Sequence, residues 1–120
     1  MMLLEDPQSA VARGAEVLAE IAGYGKACSN TYFDVTQVEE KSAAMSMAIT
    51  RALADAGITS KENDLVCGTS NGSEVNSMIE TNAIYTSFNC LNPHVPVVNY
   101  NAFFGFVASS AGLLNLAVLL

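Results

Sequence analysis

Charge is scarce in this chain and confined to one part of it. Charged residues make up 14% of the 120, well under the roughly 25% of an average soluble domain. None follows Glu80. Basic residues are the scarcest: five Lys and Arg stand against twelve Asp and Glu, for a formal net charge of −7. That balance argues against nucleic acid or an anionic membrane surface as a partner, since each requires a basic face. Cysteine is also sparse. Cys28, Cys67 and Cys90 are far apart, odd in number and without a Cys-x-x-Cys pair, so neither a zinc site nor a disulfide framework is indicated. No metal or cofactor is expected, and a reducing cytoplasm is the simplest compartment. The chain shows no repeat and no low-complexity linker, and its start, MMLLED, has no basic opening of the kind a signal peptide needs.

What is abundant is apolar surface. Hydrophobic residues reach 51%, enough for one domain of modest core. A final third without charge should be mostly buried, yet so small a domain has too little interior to hide it. A partner surface over residues 81–120 is therefore expected. Residues 102–120 are long and apolar enough to raise a membrane span. Gly105, Ser109, Ser110, Gly112 and Asn115 interrupt them and no aromatic or basic anchor follows, which favours a buried helix.

Residues 1–4 read as the end of a buried strand. Asp6 and Pro7 then fit a helix start, and Gly14 a stop after Arg13. The alternation of 17–24 (VLAEIAGY) predicts a strand ended by Gly23 and Gly25, and 26–35 a polar loop. Thr36-Gln37-Val38-Glu39 has the form of a capping box. From there Val38, Met45, Ile49, Ala52 and Ala56 share one helical stripe up to Gly57. Thr59 to Glu62 repeats the capping pattern for one turn. Residues 64–68 (DLVCG) predict a strand running into a glycine-rich turn at 68–72. Ser73 caps a helix through about Phe88, with Val75, Ile79 and Ala83 inward. Residues 95–99 (VPVVN) predict another strand, 100–106 a loop, and 107–120 a last helix. The order β-α-β-α-β-α-β-α predicts an α/β architecture with helices packed on a sheet.

Several segments resemble one family in order and spacing. LLED…AVARGAEVLAEIAGYG is similar to the strand–helix–strand of β-ketoacyl synthases that carries Arg-Gly-Ala and ends in Gly-Tyr/Phe-Gly. AMSMAITRALADAGIT resembles the family's long helix ending in DAGI, VCGTSNG its His-Gly-Thr-x-Thr loop, and IETNAI its glutamate-bearing helix. VPVVNYNAFFGFVASSAG resembles the V-x-S-x-K-x-x-x-G-H-x-x-x-A-x-G segment. The resemblance covers essentially the whole chain and implies a partial thiolase-type fold, the C-terminal half of a ketosynthase.

The departures bear on chemistry. The family joins an acyl thioester to a malonyl thioester, with a cysteine that takes the acyl group and two histidines that assist decarboxylation and stabilise the oxyanion. The half-fold bearing that cysteine is not in this sequence. By the resemblance, the first histidine position is Cys67, the second Phe106, the lysine position Asn101 and the glutamate position Glu80. The acidic position three before Glu80 is Ser77, the loop after Cys67 is about two residues longer than usual, and the family's final strands are missing. An imidazole carries a proton near neutral pH, whereas a benzyl group does not and a thiol is only a weak donor. Loss of one oxyanion donor costs on the order of a hundred- to a thousandfold in turnover.

Other readings of single residues point to structure. Cys67 as a nucleophile needs a lowered pKa, but the nearest lysine in sequence is Lys61, so it reads as a small thiol at a strand end. The 68–72 turn lacks the lysine of a phosphate-binding loop. His94, between Pro93 and Val95-Pro96, reads as a solvated loop residue. The Phe103, Phe104 and Phe106 rings read first as core or interface, and by the resemblance also as lining or plugging an acyl pocket. The resulting expectation is a non-condensing, ketosynthase-like fragment or subunit of fatty-acid or polyketide synthesis. It would pair with another thiolase-fold chain or itself, as chain-length-determining partners do, and acyl carrier protein is a further partner. The alternatives are part of a β-ketoacyl synthase with altered active-site chemistry, and a piece cut from a longer, divergent ketosynthase.

Overall fold

The computed structural model describes residues 2–30, 36–89 and 92–120, with the side chain of Asn89 excepted. Met1, the end of the expected 26–35 loop, and Cys90 lie outside the described residues. Helix α1 spans Pro7–Ala12; the Asp6 carboxylate accepts from the Gln8 and Ser9 N–H groups, and Gly14 takes the left-handed conformation just beyond it. Helix α2, Val38–Ala56, begins one residue later than the capping box implies, with Gln37 at the N-cap and no side-chain hydrogen bond from that residue. Its other end is as expected. Gly57 has φ 70°, and the Gly57 and Ile58 N–H groups turn back to Ala54 and Leu53, a Schellman ending. The single turn Ser60–Glu62 follows, where the Glu62 carboxylate accepts from the Thr59 N–H and hydroxyl, each at 2.8 Å.

Strand β1, Val66–Cys67, pairs in parallel with β2, Val97–Val98, in the register Val66 to Val97 and Cys67 to Val98. Between them lies α3, Glu74–Ile84, extended by a wider turn over Tyr85–Asn89. Ser73 caps α3 by accepting from the Asn76 N–H. Helix α4, Asn101–Phe104, and α5, Ala111–Leu119, complete the chain, with a tight turn at Ala108–Ser110 between them. The loop expected at 100–106 is thus partly helical, and the helix expected from 107 starts at Ala111. No helix among the described residues is long and apolar enough to cross a membrane.

Two expected strands are absent. Residues 2–4 and 17–24 form no ladder, and Leu3, Leu4, Val17, Leu18, Ile21 and Tyr24 are exposed. Alternation supplies a face, but a strand forms only where a neighbour accepts its backbone bonds, and none of the described strands reaches this segment. The segment is fastened to α2 instead. Tyr24 N–H donates to the Asp55 carboxylate at 2.9 Å and the Arg51 guanidinium to the Lys26 carbonyl at 2.6 Å. A Cβ on Gly23 or Gly25 would run into the α2 backbone at Ala52 and Ala48 respectively. These glycines end no strand; they permit close approach to a helix.

The core is thin. Among the described residues, Ala10, Ile79, Ala83, Phe88 and Ala111 are its buried apolar members, and no large side chain is completely buried. Ser46 and Ser87 hydroxyls meet at 3.0 Å to join α2 to the turn after α3. Asn92 donates to the Ser60 and Asn63 carbonyls at 3.3 and 3.0 Å.

Candidate functional site

The carboxyl ends of β1 and β2 lie side by side, and the loop leaving β1 is held from both sides. Glu80, on the second turn of α3, reaches back to it. Its carboxylate accepts from the N–H and hydroxyl of Thr69 and from the N–H and hydroxyl of Ser70, with Thr69 Oγ1 and Ser70 N each at 3.0 Å. Burial pushes the Glu80 carboxyl up, but those four donors outweigh it and hold its pKa below the usual carboxylate value. Glycine at 68 makes this possible, because a Cβ there would lie 2.9 Å from Glu80 Oε2.

The carbonyls of the same loop face three asparagines. Asn101, at the start of α4, donates to Thr69 O at 3.0 Å and Ser70 O at 3.3 Å. Asn99 donates to Ser70 O at 2.9 Å, and its own oxygen accepts the Asn101 N–H at 3.0 Å. Asn115, from α5, donates to Gly68 O at 3.3 Å. Asn101 and Asn115 are 7% and 3% exposed, and the side-chain oxygen of each is buried without a partner among the described residues. Flipping either amide would turn its oxygen toward a backbone carbonyl, so the donating orientation is fixed by the loop.

Cys67 ends β1 and lines a cavity of about 360 Å3 with Glu80, Met45, Ile49, Ile84 and Phe88. Burial and then the Glu80 charge push its thiol up from the ordinary value. A thiol so placed is less nucleophilic than a free one, which weighs against the reading of Cys67 as an activated nucleophile. Phe106 does not line this cavity. It is exposed, as are Phe103 and Phe104, the first of them at 80%, so the core reading of the three rings does not hold. A wider groove of about 850 Å3 between α2 and α3, lined by Ser42, Ser46, Thr50 and Tyr85 among others, holds none of the expected site residues.

The structure therefore brings Cys67, Glu80 and Asn101 to one loop, while Phe106 is exposed and does not line the Cys67 cavity. The Thr69 and Ser70 N–H groups that a bound phosphate would need are already taken by Glu80. Ser77 donates its hydroxyl to the Ser73 carbonyl of its own helix at 2.9 Å, and His94 is exposed in a turn. Asn99 and Asn115 were not singled out from sequence as site residues. Their signal was that buried amides in an uncharged apolar stretch must have partners.

Residues 18–120 match the family described as Beta-ketoacyl synthase, C-terminal domain. The chain is 32% identical over 88 residues to the mitochondrial 3-oxoacyl-[acyl-carrier-protein] synthase of Arabidopsis thaliana, covering 73% of this chain and 19% of that protein. It is 36% identical over 88 residues to Nodulation protein E of Rhizobium sp. (strain N33), covering 73% and 21% respectively. Among solved structures it superimposes on the ishigamide ketosynthase/chain length factor with TM-score 0.74, at 26% identity, covering 92% of this chain and 26% of that one. It also superimposes on a β-ketoacyl synthase from Burkholderia phymatum STM815 with TM-score 0.78 and 24% identity, covering 96% and 27%. The chain thus spans about a fifth to a quarter of the relatives it matches. It has the fold of a partial thiolase-type ketosynthase, and it belongs to the β-ketoacyl synthase C-terminal domain family.

Proposed function

We propose that this chain is a non-condensing ketosynthase-like fragment or subunit of fatty-acid or polyketide synthesis that acts by pairing with another thiolase-fold surface. The reading rests on one observation above the others. At the strand end where the family resemblance places a histidine, the chain carries Cys67, a part-buried thiol whose proton is held more tightly than usual beside a carboxylate. Such a group is only a weak donor to an oxyanion and neither takes up nor releases a proton near neutral pH. Phe106, at the second histidine position, does neither. Asn101, at the lysine position, is committed to loop carbonyls.

Pairing is supported by surface. A folded monomer of 12.6 kDa exposes roughly 6,200 Å2, whereas this chain exposes 8545 Å2. The excess is the size of an obligate interface rather than of a transient one. One of the structural relatives is itself a ketosynthase/chain length factor, and another is a ketosynthase in complex with its acyl-carrier protein; a thiolase-fold chain and a carrier protein are the partners proposed here.

The test is to purify the chain alone and with a catalytic ketosynthase, then assay complex formation and turnover of malonyl thioester. The expected result is a stable complex and no turnover by the chain alone. A monodisperse monomer that ignores the ketosynthase, or appreciable turnover by the isolated chain, overturns the proposal.

A further inference from the structure

The loop between β1 and α3 holds an asparagine–glycine step with an arrangement the preceding reading does not use. Asn71 is exposed, and its side-chain oxygen accepts two hydrogen bonds, from the Ser73 N–H at 3.1 Å and from the Asn76 side-chain amide at 3.2 Å. Its side-chain nitrogen makes no such bond among the described residues. Gly72 follows with φ 86°, and a Cβ built there would meet nothing within 4 Å. The attacking nitrogen, that of Gly72, has no side chain on its own α-carbon to crowd it. It also makes no backbone hydrogen bond within the described structure.

These are the parts of an intramolecular acyl transfer. Negative charge forming on the Asn71 oxygen as its carbon is attacked would fall on two donors already in place. Attacker and target sit in adjacent residues, so the reaction pays no cost of association. We propose that Asn71–Gly72 is a self-modification site. The deprotonated Gly72 nitrogen bonds to the Asn71 side-chain carbonyl carbon, the C–N bond to the side-chain amide breaks, and protonation releases ammonia. Water then adds to either carbonyl of the resulting succinimide, giving aspartate by one opening and isoaspartate by the other. No oxidant, reductant or cofactor takes part.

The two products act differently on the site. Aspartate keeps both acceptor bonds and adds negative charge at the N-terminus of α3, where the helix favours it. Isoaspartate routes the backbone through the side-chain carbon and lengthens the loop beside Thr69 and Ser70, the residues Glu80 holds. The modification is thus a slow, chemical way to tighten or loosen the loop at the end of β1.

The experiment incubates the full chain at mildly alkaline pH and follows each asparagine by peptide mass mapping, with isoaspartate scored by methyltransferase labelling. Conversion is expected first at Asn71, faster as pH rises. It should slow by about two- to tenfold in Asn76→Ala, which removes one donor. Asn71→Gln serves as a folded variant that should stay unmodified at this position. Retention of the Asn71 amide while other asparagines convert overturns the proposal, and an unchanged rate in a folded Asn76→Ala chain overturns the role given to the two donors.

Discussion

At the scale of single residues, Glu80 governs the loop that follows Cys67. Two N–H groups and two hydroxyls converge on its carboxylate, and bonds to a charged acceptor are stronger than neutral ones. Glu80→Gln keeps only one oxygen and points an NH2 at groups that are themselves donors. The expected loss is about 1–3 kcal/mol, read as a lower urea midpoint with an unchanged slope. The same residue sets a pH dependence. Its folded pKa lies below the unfolded value of about 4.3, so the unfolded chain binds its proton first on acidification. The stability it supplies is complete above that unfolded value and disappears as pH falls through the folded one. Urea midpoints between neutral pH and about pH 3 should fall more steeply for the native chain than for Glu80→Gln. Parallel curves would show that Glu80 has no such role.

At the scale of elements, the glycines near residue 24 are the best test of how the N-terminal segment is held. A Cβ on Gly25 would strike the Ala48 carbonyl, which belongs to a helix backbone and cannot move aside. Gly25→Ala should therefore detach residues 15–30 from α2 without unfolding the rest. Exchange of the Tyr24 amide, the N–H of residues 16–30 that is hydrogen-bonded among the described residues, should rise, while α2 and α3 keep their protection. Unchanged protection there would mean that the contact is not what holds it.

The same segment shows where sequence reading succeeded and where it stopped. Several helix ends were legible from local signals: Asp6-Pro7 and Gly57 behave as their chemistry dictates, and Thr59 with Glu62 closes its turn, whereas the Thr36 capping box put the start of α2 one residue early. The strands at 2–4 and 17–24 were not legible, because their alternation describes a face and says nothing of whether a neighbour exists. Gly23 and Gly25 were noticed but read as terminators; the contrary signal was Ala48, Ala52 and Ala56 at four-residue steps, a smooth strip that only a chain without side chains can approach. At the site, the resemblance led to Cys67, Glu80 and Asn101, and the structure ties these three to one loop. It also pointed to Phe106, which stands outside the cavity. Asn99 and Asn115 escaped, since their role depends on a tertiary approach that no spacing encodes.

At the scale of the whole molecule, the chain is too open for its length. A compact domain of 120 residues has a radius of gyration of about 13.6 Å, and this chain has 15.7 Å. The uncharged final third accounts for much of the exposed apolar surface: Phe103, Phe104, Phe106, Val107, Leu113, Val118, Leu119 and Leu120 all face outward. Apolar surface on this scale drives association at roughly 25 cal/mol per Å2 before the costs of binding are met. Phe103 and Phe104 touch none of the polar contacts around Glu80, so charge placed on them should spare the fold and act on the proposed pairing. The double variant Phe103→Asp, Phe104→Asp is expected to keep the native far-ultraviolet circular dichroism, bind less of a dye that reports exposed apolar surface, and lose at least tenfold in affinity for a catalytic ketosynthase, as measured by titration calorimetry. Undiminished affinity in a folded variant would move the partner surface off this face, because two buried carboxylates without partners cannot be accommodated in an apolar interface at no cost.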